Sequence, residues 1–240
     1  MPLRERDMKR LALVLAASVA LGAGAASAQT VASINHQGMD PASGKAPTEA
    51  VIMFHGYTQS GEAMKPVAEA LAARLPNAVF IFDNAPNPIR NGFSWYDMQG
   101  DNAASKAAAK DLATGLVKTV EDTWKIKPDH IVAVGFSQGG GMALDAGICT
   151  PTPVKAVVSL AGVLESACDK PKGAKATNIL IVRNDGDPLV KEPLIVKFEE
   201  AVKGAGYTSK RETVEGTTHW PSANGIKMAE DFVVKQLGGK

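Results

Sequence analysis

Cysteine, aromatic side chains and an excess of either charge are what this chain has least of. Its 240 residues include two cysteines and 5% aromatic residues, and the formal net charge is +1 at pH 7. A balance that even gives no electrostatic footprint for nucleic acid or another polyanionic partner. Neither cysteine has a neighbour at metal-ligand spacing. H-E-x-x-H is absent, as is any G-x-G-x-x-G following a strand, so neither a metal nor an organic cofactor is expected. Repeats of 20–50 residues, low-complexity tracts and an internal linker are also missing. With 45% hydrophobic and 21% charged residues, the composition is that of one compact domain.

The one long apolar run is at the N-terminus. In "MKRLALVLAASVALGAGAASAQT", Lys9 and Arg10 precede Leu11 to Leu21, interrupted only by Ser18, and small residues follow up to Ala26-Ser27-Ala28. This is the charged, apolar and A-x-A order of a secretory signal peptide. A membrane span needs about 20 apolar residues, more than this run supplies. Residues 1–28 are therefore expected to be removed, leaving 29–240 as a single periplasmic or secreted domain without a stable membrane anchor. Export would permit a disulfide between Cys149 and Cys168. Against it, Cys149 follows a helix while Cys168 lies beyond the far end of the strand "VKAVVSLAG", about 30 Å of strand away. A disulfide needs Cα atoms within about 7 Å. Closure requires "VLESACD" to fold back, and the pairing stays open.

The rest of the chain alternates. Short Val- and Ile-rich runs at 50–56, 78–86, 130–137, 154–162 and 178–185 lack polar alternation, as strands buried on both faces do. Helical stretches lie between and after them, at 61–75, 101–124, 138–148, 193–206 and 223–237, and the more alternating 209–216 suits an outer strand. Strand then helix, repeated, predicts a three-layer α/β fold, a mostly parallel central sheet with helices on both faces and right-handed crossovers. Function in such sheets gathers at the carboxyl ends of the strands.

One of those ends reads Gly135-Phe136-Ser137-Gln138-Gly139, a G-x-S-x-G sequence between strand and helix. That turn exposes a serine hydroxyl above the sheet, and the helix N-terminus behind it offers free N–H groups to a developing oxyanion. Ser137 is the candidate nucleophile. A triad in the order serine, acid, histidine leaves His219 as base, since His36, His55 and His130 all precede the serine. "RNDGDPLV" offers two acids. Asp185, beside Gly186, suits a turn, and Asp187, ahead of Pro188, is favoured to orient His219. The oxyanion donors expected are the backbone N–H groups of Gln138 and Tyr57, with His55 organising the Tyr57 loop.

These residues carry a resemblance. "FHGYTQSG", "APNPIRNGFSWYDM", "GFSQGGGMAL" and "RNDGDPLV" resemble the H-G-x-G-D-x-G loop, the A-P…W-[FY]-D segment, the nucleophile motif and the H-G-x-x-D-x-[VL]-V block of the phospholipase/carboxylesterase family of α/β-hydrolases. That family includes acyl-protein thioesterases and small bacterial carboxylesterases. The resemblance spans about residues 50 to 237 and supports Asp187 over Asp185. Thr58 and Gln59 depart from its Gly and Asp, and Arg183-Asn184 from its His-Gly.

By resemblance Trp95 lies on a loop flanking the nucleophile, either as a wall of the substrate pocket or as packing for that loop. Trp220, beside His219, is a second candidate wall. No long insertion follows 162, so no large lid is expected. The implied activity is hydrolysis of short or medium, soluble carboxylic esters through an acyl-enzyme. The alternatives are thioesters or lysophospholipids, polymeric or plant-derived esters, and, least favoured, a non-enzymatic binding scaffold.

Overall fold

The computed structural model describes residues 30–31, 35–99, 102–162 and 167–239. The expected signal peptide, 1–28, lies outside the described residues. In chain order the elements are β1 (Gly38–Met39), β2 (Glu49–Phe54), α1 (Lys65–Ala72), β3 (Ala78–Ile81), β4 (Asn87–Ile89), β5 (Gly92–Ser94), α2 (Ala103–Trp124), β6 (Ile131–Phe136), α3 (Gln138–Ile148), β7 (Ala156–Leu160), β8 (Asn178–Asn184), α4 (Glu192–Gly204), β9 (Ser209–Val214) and α5 (Ala223–Leu237). Seven of the strands form one sheet in the order β1-β3-β2-β6-β7-β8-β9. β1 runs antiparallel to β3, and every other neighbouring pair is parallel.

The absence of polar alternation in the strands has its cause in two cores. Ala50, Ile52, Val79, Ile81, Ala133, Val157 and Ile181 point to one face and pack with α2, α3 and α4. Their strand neighbours Val51, Met53, Phe80, Val132, Val134, Val158 and Leu180 point to the other, against α1 and α5. With successive side chains on opposite faces, both faces must be apolar when both are covered. β9, at the edge, has one paired flank and keeps the alternation "SKRETV".

Local differences from the sequence reading have local causes. The helix expected from 61 begins as a 3-10 turn, Gly61–Met64, and becomes α-helical at Lys65–Ala72, with proline in the first turn. The run 78–86 is strand only to Ile81. Beyond it the chain leaves the sheet to form the hairpin of β4 and β5, too short and too rich in proline and asparagine to read as strands.

Cys149 and Cys168 are joined, with Cα atoms 5.3 Å apart. The strand length between them does not oppose the bond, because β8 is parallel to β7. The connection must therefore travel back to the edge at which both strands start, the edge where α3 ends, and Cys168 lies on that return. Tying a loop of this length stabilises the fold by about 3 kcal/mol, chiefly through the denatured chain.

Asp145, on α3, is pushed up to about 6 from an ordinary 3.8 by burial, with the charge of Lys110 opposing. Below pH 4 the carboxyl is protonated whether the chain is folded or not, and it carries no penalty. Between pH 4 and 6 the unfolded chain ionises first, so stability falls as pH rises, by about 3 kcal/mol in all. Asp145→Asn is expected to raise the unfolding free energy from urea titration at pH 7–8 by that order and to leave it nearly unchanged at pH 3.5. An equal gain at both pH values would show that the charge is not the cause.

Candidate active site

Ser137 sits between the last residue of β6 and the first of α3, with φ 52° and ψ −117°. A side-chain-bearing residue in that region costs about 1–3 kcal/mol and persists only where its surroundings enforce it. They do so here through its N–H, which donates to the Leu160 carbonyl at 2.9 Å, and through backbone crowding. A Cβ at Gly135 would lie 1.9 Å from the Gly139 carbonyl oxygen, and one at Gly139 would lie 2.2 Å from that of Phe54. Strand and helix therefore meet at this turn only if both positions are glycine.

Two loops bring partners to the hydroxyl. His219, in the loop between β9 and α5, places Nε2 2.8 Å from Ser137 Oγ. Its Nδ1 lies 2.9 Å from Oδ2 of Asp187, in the loop after β8. Asp187 is fully buried, and its Oδ1 accepts the N–H groups of Leu189 and Val190 at 2.8 and 3.0 Å. Burial alone would raise its pKa. The bond from His219 and the two backbone N–H groups outweigh that and hold it below the ordinary value, so the acid is a carboxylate. A carboxylate at Nδ1 places the imidazole proton there and leaves the Nε2 lone pair for the serine O–H. Asp185 is not part of this chain. Its Oδ1 accepts the N–H groups of Gly186 and Gly216 at 2.7 and 3.1 Å and closes a turn.

Gln138 and Tyr57 follow the paired ends of adjacent strands. Phe54 of β2 is opposite Gly135 of β6, and each candidate donor lies three residues further on. Neither N–H has an acceptor among the described residues. The Tyr57 loop is held from both sides. The Gly56 N–H donates to Gln59 Oε1 at 2.9 Å, and the Thr58 N–H donates to the Phe93 carbonyl at 3.1 Å. Thr58 itself adopts φ 68°, which β-branched residues rarely do. His55 is buried, donates Nδ1–H to the Gly56 carbonyl at 2.7 Å and accepts the Ala85 N–H on Nε2 at 3.0 Å. Burial lowers its pKa, against the bond to Gly56, so it remains neutral and structural. His130 lies at the opposite edge of the sheet, at the start of β6. His36 pairs with Asp83.

Trp95 is corrected as a pocket wall. It is 1% exposed and presents no surface to a substrate. Its indole N–H donates to the His55 carbonyl at 2.8 Å, and its ring packs edge-on against Phe54. Its backbone N–H donates to Gln138 Oε1 at 3.0 Å, while Gln138 Nε2 donates to the Tyr96 carbonyl, also at 3.0 Å. Gln138 thus binds the hairpin with its side chain, a role that one polar residue among glycines did not disclose. Trp220 is half-buried, its ring 4.5 Å from that of Phe136, which in turn lies 4.9 Å from His219. Among the described residues no group of three or more His, Cys, Asp or Glu is arranged to hold a metal ion.

Comparison with known proteins identifies the family and the fold. The phospholipase/carboxylesterase family model matches residues 41–237. The chain is 26% identical over 214 residues to acyl-protein thioesterase 1 of Neurospora crassa, covering 79% of this chain and 87% of that one. Its identity to acyl-protein thioesterase 1 of Mycosarcoma maydis is 30% over 182 residues, covering 64% and 75%. Among solved structures, esterase PE8 superimposes with a TM-score of 0.72 at 22% identity, covering 84% of this chain and 98% of that one.

Trp95→Phe keeps an aromatic ring but removes the donor to the His55 carbonyl. Leaving a buried acceptor unpaired costs about 1–3 kcal/mol, so the unfolding free energy is expected to fall by that order, with a lower urea midpoint and an unchanged slope. An unaltered midpoint would show that this hydrogen bond does not stabilise the loop.

Proposed function

Because the chain belongs to the phospholipase/carboxylesterase family and is a serine hydrolase of that α/β-hydrolase class, we propose that it cleaves short or medium soluble carboxylic esters through an acyl-enzyme on Ser137. The observation that carries this reading is the hydrogen-bond chain from Asp187 through His219 to Ser137, at 2.9 and 2.8 Å.

In this mechanism Ser137 Oγ attacks the ester carbonyl as His219 Nε2 takes its proton. Asp187 holds the imidazolium by its Nδ1–H. The negative charge that forms on the carbonyl oxygen is met by the N–H groups of Gln138 and Tyr57, each of which lowers the barrier by about 2.7–4 kcal/mol. His219 then returns the proton to the departing alkoxide. Water, deprotonated by the same Nε2, releases the acid and restores the serine. The ring of Tyr57 and the side chain of Leu189, 41% and 65% exposed, offer apolar contact on the loops beside the hydroxyl. A thioester reading is favoured by one observation, the name of the thioesterase relatives. The same atoms perform it with a thiolate leaving.

Residues 1–28 act, in this proposal, as an export signal, and the Cys149–Cys168 bond supports an oxidising compartment. Produced in a bacterium with its own leader, the chain is expected in the periplasm or medium, beginning at Gln29 and without free thiol by intact mass. Cytoplasmic protein with an uncleaved leader would refute export.

Activity is tested with p-nitrophenyl esters from acetate to palmitate on residues 29–240 and on Ser137→Ala. The wild type is expected to prefer the short and medium esters, and the variant to lose about 10⁴-fold or more in kcat. Equal, low rates for both proteins on every ester, with no labelling of Ser137 by a fluorophosphonate, would remove the esterase reading.

A further inference from the structure

The departure Arg183-Asn184, where the family pattern quoted above has His-Gly, changes the end of β8 that faces the site. Asn184 is the last residue of β8, and its side chain is fully buried. Its Nδ2 donates to the Thr218 carbonyl at 2.8 Å and to the Trp220 carbonyl at 3.0 Å, the carbonyls on either side of His219. Its Oδ1 accepts the Ser222 N–H at 2.9 Å, at the start of α5. One amide thus uses both donors and its acceptor on the backbone of the histidine loop. The orientation is fixed by chemistry, since the flipped amide would set oxygen against two carbonyls. Its main-chain carbonyl lies 3.4 Å from the Asp187 N–H, so the same residue touches the acid's turn. The loop fits closely around it: a Cβ at Gly216 would lie 2.6 Å from Asn184 Cγ.

We propose that Asn184 is the positioning residue that holds His219 in register with Asp187, a role that rests on the serine-hydrolase reading of the site. A strand end is a rigid support for that loop, whose other hydrogen bonds run to the acid's own turn and to Ser137. Asn184 does not touch substrate. It fixes where the imidazole stands, and therefore acts on the chemical step and leaves ester binding alone.

The test compares wild type, Asn184→Ala and Asn184→Asp, the last preserving volume while removing the two donors. For variants that unfold cooperatively, well below the melting temperature, kcat on p-nitrophenyl acetate is expected to fall about 10- to 100-fold, as for an ångström-scale misplacement. KM is expected to stay within twofold. The downfield proton resonance of the His219 Nδ1–H, a signature of its bond to Asp187, is expected to shift or vanish. That resonance is read without any substrate, so it tests the positioning even if no ester is cleaved. An unchanged kcat and resonance in either folded variant would overturn the proposal. Failure of both variants to fold would also overturn it, making Asn184 a residue of the fold rather than of the site.

Discussion

The constraint on which the site depends is the backbone of Ser137. A positive φ of 52° at a serine is sustained only because β6, β7 and α3 converge within contact distance of it. Its N–H is committed to the Leu160 carbonyl of β7, and its flanks are closed by glycines that no other residue could replace without backbone collision. The strain does chemical work. An extended residue here would continue the strand and bury its hydroxyl in a layer of apolar side chains. The turn instead lifts Oγ to the carboxyl edge of the sheet, where the loops that follow β2, β8 and β9 can meet it. Ala161, one residue past β7, also has positive φ, 48°, so the strain is shared by two neighbouring strand ends and not stored at the serine alone.

Rigidity around that turn comes from buried polar groups that are fully engaged. Gln138 binds the main chain of Trp95 and Tyr96, Trp95 binds the carbonyl of His55, and His55 binds Gly56 and Ala85. Each link ties one loop to the next through a backbone group that burial would otherwise leave without a partner, at a cost of about 1–3 kcal/mol. A network of this kind fixes the loops more sharply than apolar packing, because hydrogen bonds are directional. Among the described residues the main-chain N–H groups of Gln138 and Tyr57 have no acceptor, while the side chains of Gln138, Trp95 and His55 are committed.

What was legible in the sequence follows the same physics. The two-faced strands are legible as Val- and Ile-rich runs without polar alternation, and the helices as the stretches between and after them. The turn at Ser137 was legible because glycine is costly wherever the backbone does not need it. Chain order and the acid's place beside Pro188 singled out His219 and Asp187, the two side chains that now stand within hydrogen-bond distance of each other. Contacts between segments far apart in the chain were not legible. The hairpin of β4 and β5 carries too few residues to show a period, and Trp95 read equally as wall or packing because its partner is a carbonyl 40 residues away. The disulfide is not legible from distance along a strand, because the return to the starting edge is imposed by the parallel pairing of β7 with β8.

The departures at Arg183 and Asn184 belong to one device, and the alternation of a strand explains it. Consecutive residues of β8 project to opposite faces, so the two side chains serve different loops from one rigid strand end. Asn184 reaches the histidine loop. Arg183, 4% exposed, forms an ion pair with Glu192 at the start of α4, at 2.6 Å. Its other terminal nitrogen lies 3.3 Å from the Asp185 carbonyl and 3.4 Å from that of Val190, the two ends of the turn that carries Asp187. A guanidinium is costly to bury, and truncation would leave Glu192 with Arg211 alone and would remove one tie from each end of the turn. The pair therefore couples the spacing of acid and base to the end of a single strand: β8 sets the Asp187 turn through one residue and the His219 loop through the next, so neither loop can shift alone without breaking a bond to the same strand.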